Sequence, residues 1–168
     1  MSGASTILYE GAWKGGTMKL AEALAERSDC QIRIEEMKKR LIRSARVQEG
    51  DQPAEDTTEL LAEGERVFTR LLQIVSAINR TNSRTEFDES RTISDAIAER
   101  DLVGKRRDFL AGIAEAASTR QDRYSKSEVR FVATVSVGKL QAEVDQLAKR
   151  FRELDTRLQE LNWKTELI

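Results

Sequence analysis

From Leu20 onward the apolar and small residues Leu20, Ala23, Leu24, Cys30, Ile34, Met37 and Leu41 recur at helical spacing, with Arg27 standing inside the stripe. That spacing predicts a long helix of coiled-coil type over about residues 18–45. Gly50, Asp51 and Pro53 break it, and Asp56 with Glu59 three residues later is a start signal for a second helix. Leu60, Val67, Leu71, Ile74 and Ile78 form the apolar face of that helix. The polar run "NRTNSRTEFDES", residues 79–90, reads as a connection. Thr92 and Asp95 then form a capping box for a third helix, which carries Ile93, Ala96, Ile97, Val103, Leu110 and Ala114, with Arg100 and Arg107 in its seam. Beyond Arg120 the period changes to two. Val129, Phe131, Ala133, Val135 and Val137 alternate, predicting a short strand or extended arm that pairs with "SARVQEG", residues 44–50, or with the same segment of another subunit. Ser136 caps a fourth helix, whose stripe Leu140, Val144, Leu147, Phe151, Leu154, Leu158 and Leu161 is the cleanest in the chain.

The two halves of this pattern align. The stretch "LAEALAER" at residues 20–27 returns as "ISDAIAER" at 93–100, and the same offset of 73 pairs Glu26 with Glu99, Arg27 with Arg100, Arg33 with Arg106 and Gln48 with Gln121. An offset of 80 pairs Asp56 with Ser136, Leu60 with Leu140, Glu63 with Glu143, Arg70 with Arg150 and Asn82 with Asn162. The matches include caps and polar seam positions as well as leucines, which is the pattern of a duplicated helical hairpin whose second connection is seven residues longer. The expected fold is therefore all-α. It is an up-down-up-down four-helix bundle of two repeated long hairpins, about residues 18–85 and 91–168, with a short extended or β segment in the loop before the last helix.

A chain of 168 residues suits one domain of this kind. Charged residues make up 34% of it and aromatics 5%, the mixture used by long amphipathic helices. The net charge of -1 gives no strong nucleic-acid or membrane signal. With no histidine and a single cysteine, Cys30, an intramolecular disulfide, His-bearing zinc sites and Ser-His-Asp triads are excluded. No run of about 18 apolar residues reads as a transmembrane segment. Residues 1–17 lack the marks of a secretion signal. They read either as a disordered tail or as a mis-assigned leader in which "KGGT" translates a ribosome-binding sequence ahead of a true start at Met18. The expected location is cytoplasmic.

In an up-down-up-down bundle the residues that recur between the halves gather at one end. Glu26, Arg27 and Asn82 from the first half, with Glu99, Arg100, Asn162 and Trp163 from the second, form a candidate ligand-binding site. Two guanidinium groups flanked by carboxamides can clamp a carboxylate or phosphate. The competing reading is that Arg27 and Arg100 pair with neighbouring carboxylates and fix helix register. Tyr124, Val129 and Phe131, among the basic residues of "STRQDRYSKSEVRF", are candidate interface positions. No catalytic residue, metal site or cofactor is expected.

The segments "MKLAEALAERSD", "RSARVQEGDQPAED", "INRTNSRT", "ISDAIAERD", "QDRYSKSEVRFVATV" and "LNWKTEL" together resemble a family of small bacterial helical proteins labelled septicolysin, from Met18 to the C-terminus. The label implies a cytolysin; the resemblance supplies no catalytic residues. The residues themselves favour a non-enzymatic scaffold or protein-interaction module that forms a homo-oligomer or binds another protein, with an anion-binding or enzymatic bundle as the alternative.

Overall fold

The computed structural model describes residues 17–118 and 132–168. Four helices carry the fold: α1 over Leu20–Ser44, α2 over Thr57–Arg84, α3 over Ile93–Ser118 and α4 over Val137–Lys164. At 1.5 Å per residue they are roughly 37–42 Å long. Each start has a local cause. Asp56 accepts hydrogen bonds from the Thr58 and Glu59 backbone N–H groups at 2.8 and 3.2 Å, satisfying donors that an α-helix leaves open at its N-terminus. The Thr92 backbone donates to Asp95 at 2.9 Å and the Asp95 backbone to the Thr92 hydroxyl at 3.3 Å, the capping box expected for α3.

Two points differ from the expectation. Residues 79–84 are helical and extend α2, because Thr81 is fully buried and its hydroxyl accepts the Ile168 backbone N–H at 2.9 Å. The connection that remains is a tight antiparallel ribbon of β1, Glu86–Asp88, and β2, Arg91–Thr92. The strand pairing thus lies between α2 and α3. In the loop before α4, residues 132–136 carry no strand and Val137 already opens the helix, while Val129 and Phe131 fall outside the described residues. The suggested partner segment has no strand either: it turns away at Gly50, whose φ of 95° is open to glycine.

The helices pack as two hairpins, α1 with α2 and α3 with α4, and the contacts between hairpins are far sparser than those within them. The hairpins meet in one cluster built from all four helices: Leu20 and Ala23, Ile74 and Ile78, Ile93 and Ala96, Leu154 and Leu158, with Phe87 from the ribbon. A second cluster, Cys30, Met37 and Val67 with Ile34 and Leu71, belongs to the first hairpin alone. The core is therefore concentrated at the joint and continues outward inside the first hairpin.

Candidate functional site at the joint

The joint is made twice over. At the ribbon, Glu86 pairs with Thr92, and the Ile93 N–H donates to the Thr85 carbonyl at 3.0 Å. Where the two ends of the described chain meet, Lys19 forms a bridge with Glu166, and the Leu20 N–H donates to the Thr165 carbonyl at 2.9 Å. Each residue of the second set stands 73 or 80 positions from its counterpart in the first. Thr85 and Thr165 close α2 and α4 in the same way, and the Lys19 N–H donates to Glu22 at 2.7 Å as the Thr92 N–H does to Asp95. The eight helical residues of the shared cluster likewise fall into four pairs at these offsets.

Beyond the joint each hairpin is laced by ion pairs at matching positions. Arg70 donates to Glu26 at 2.5 and 3.0 Å, and Arg150 to Glu99 at 3.1 and 2.7 Å. Arg33 pairs with Glu63, and Arg106 with Glu143. Open grooves run beside these bonds. One of about 610 Å³ is lined by Glu26, Asp29, Cys30, Arg33, Glu63 and Arg70 among others; a smaller one, about 340 Å³, has Phe87, Asp88, Arg91, Arg150 and Arg157 in its wall. Their charges are largely matched inside the protein, so neither presents a field of one sign. Burial, reinforced by the Glu26 carboxylate, pushes the Cys30 thiol up from its ordinary value.

The residues singled out in the sequence divide sharply. Glu26 and Glu99 are consumed by Arg70 and Arg150, and Glu99 also holds Arg91. The Arg150 hydrogen bond keeps the Glu99 carboxyl below its ordinary value. Arg100 donates to Asp155 at 3.2 Å and to Asp101 at 2.8 and 3.0 Å. Asn162 is half-buried and Trp163 lies exposed. Arg27 Nε and Asn82 Oδ1 are buried with no hydrogen-bond partner among the described residues. Among the described residues no hydrogen bond joins Arg27, Arg100, Asn82 and Asn162 to one another: Arg100 is held by Asp101 and Asp155, while Arg27 Nε and Asn82 Oδ1 have no hydrogen-bond partner. Tyr124, Val129 and Phe131 lie outside the described residues.

Sequence reasoning did not assign the partners Asp155, Arg91 and Asp88. Asp88 accepts from the Ser90 and Arg91 backbone N–H groups at 3.1 Å and pairs with the Arg91 guanidinium, which lowers its carboxyl to about 2. Arg91 and Arg157 both lie over the Phe87 ring, at 5.1 and 5.2 Å from its centre, and Arg157 donates to the Phe87 carbonyl. The recurrence of Glu26 with Glu99 and Arg70 with Arg150 was the signal that could have found the repeated ion pairs. No His/Cys/Asp/Glu cluster suited to a metal ion occurs among the described residues. No described helix is long and apolar enough to cross a membrane.

Comparison with known proteins agrees with this architecture and assigns no chemistry to it. A solved structure titled a functionally unknown conserved protein from Corynebacterium diphtheriae is similar at 46% identity and a TM-score of 0.87, over 91% of this chain and 100% of that one. No curated protein matches. The septicolysin label finds no counterpart in these matches. Residues 27–167 match the model of a family of unknown function, DUF6847, and the chain belongs to that family.

Proposed function

We propose that this protein is a non-enzymatic helical scaffold, built from a duplicated hairpin, that self-associates through the arms of its hairpins. The observation that carries the reading is a set of apolar residues left over after each hairpin has packed. Leu61, Phe68 and Leu72 on α2 are spaced by seven and four, so they share one helix face. They are 58%, 52% and 46% exposed. Leu102 and Phe109, seven apart on α3, are also exposed, as is Ile42 near the end of α1. Grouped apolar side chains of this size mark contact surfaces more often than bare surface does. The duplication is supported by the matching junctions, core pairs and ion pairs described above. The internal pairing of the carboxylates at the joint speaks against a catalytic role for them.

Light scattering coupled to size exclusion, over a range of concentrations, tests the proposal. Wild type is expected to associate, and Phe68→Ser/Leu72→Ser is expected to be monomeric with unchanged helicity. A wild type that stays monomeric throughout, or a double variant that associates equally well, overturns it.

A further inference from the structure

Arg27 and Arg100 occupy equivalent places, 73 positions apart, yet their surroundings differ in one respect. The Arg100 guanidinium is held by two carboxylates, Asp155 on α4 and Asp101 on its own helix. The residues at the corresponding positions beside Arg27 are Val75 on α2 and Ser28 on α1. Arg27 thus keeps the cation of the repeated pattern and lacks both of its counter-ions. Its Nε is shut off from solvent without a hydrogen-bond partner among the described residues, while the residue as a whole is only half-buried. A guanidinium offers five donors and cannot shed its charge in a protein. Leaving a buried donor of a charged group unpaired costs more than the bond itself returns when made.

We propose that Arg27 binds a small carboxylate anion, which takes the guanidinium donors that the second hairpin gives to Asp155 and Asp101. The ligand class follows from the internal comparison: the equivalent arginine binds planar carboxylates, one of them from α4, and the α2 position that corresponds to Asp155 is the aliphatic Val75. The site is independent of the self-association proposed above, because it uses none of the exposed apolar positions.

The test is nuclear magnetic resonance of the full chain with succinate as probe, reading the guanidinium N–H signal of Arg27 identified by its loss in Arg27→Gln. In the wild type the signal should move saturably with succinate and remain in place with sodium chloride at matched ionic strength. Val75→Asp, which supplies the missing carboxylate from within the chain, should displace the signal without ligand and abolish the response. Thermal melts give a second readout: succinate should raise the midpoint of the wild type, as a ligand of the folded state must, and leave Arg27→Gln and Val75→Asp unmoved. The proposal is overturned if succinate produces no saturable shift, if chloride or phosphate acts as strongly, or if Val75→Asp responds like the wild type. Should Val75→Asp fail to fold, the melts of Arg27→Gln against wild type still decide between these outcomes.

Discussion

Leu154→Ala is the sharpest single probe of the joint. Leu154 is 2% exposed and sits in a cluster drawn from all four helices and the ribbon. Removing its isobutyl group forfeits the transfer free energy of the lost atoms and leaves a cavity in this cluster, which cannot collapse far because its members are anchored in four helices and the ribbon. Buried Leu→Ala substitutions cost about 2–5 kcal/mol, and near-complete burial in a cluster drawn from four helices puts this one in the upper half of that range. Urea unfolding followed by circular dichroism measures the loss, and amide exchange locates it. Protection should fall in α1 and α2 as well as in α4, since the cluster joins the hairpins. A loss below about 1 kcal/mol, well under the usual range, or a loss of protection confined to α3 and α4, would refute the view that this cluster holds the hairpins together.

Three further outcomes follow from local geometry. Gly64→Ala and Gly112→Ala, whose added methyls meet open space, should each stabilise the chain by up to about 1 kcal/mol through helix propensity. Gly104→Ala should gain nothing comparable, because its Cβ would lie 3.2 Å from Phe151 Cε2; denaturant midpoints of the three variants check the contrast. Asp88, lowered from 3.8 to about 2 by the Arg91 guanidinium and the Ser90 N–H, contributes stability in full above pH 4 and loses it as pH falls through its folded value. Acid titrations of wild type and Asp88→Asn should therefore diverge above that window and converge below it, and parallel curves would contradict the assignment. Cys30, buried and with its thiol pushed up, should react with a disulfide reagent at neutral pH only as the first hairpin opens, in step with unfolding by circular dichroism.

The elements legible in the sequence were those with local causes. The start of α2 is written in Asp56 and that of α3 in Thr92 and Asp95, because caps act within three residues. The heptad stripes located the buried leucines and isoleucines, since burial in a helical hairpin follows helical period. The ribbon was missed for a reason that is not local: Thr81 is held in the helix by the amide of Ile168, 87 positions away, and nothing in "NRTNSRTEFDES" announces that bond. Of the alternating run before α4, Val129 and Phe131 lie outside the described residues, residues 132–136 carry no strand, and Val137 already belongs to the first turn of a helix, where period two has no meaning. At the joint, recurrence marks Glu26, Glu99 and Arg100 in the sequence, but the partners that hold them lie on other elements, Arg70 on α2 and Arg150 and Asp155 on α4. Only the structure shows that Asp155 satisfies Arg100 while Val75 leaves Arg27 without a counter-ion.

The claim at the centre of this account is that the two hairpins are equivalent units joined through two equivalent junctions, the ribbon and the Lys19–Glu166 bridge. A circular permutant tests it most directly, with Ile168 linked to Thr17 by a short glycine-serine segment and new ends between Glu89 and Ser90, compared by thermal melting with residues 17–168 in native order. Equivalent junctions predict the same helicity and a midpoint within a few degrees, since cutting the ribbon then leaves the linked bridge to do the same work. A permutant that is unfolded, or that melts far below the native order, would mean that the ribbon alone holds the hairpins in place and that the likeness of the two junctions has no energetic content.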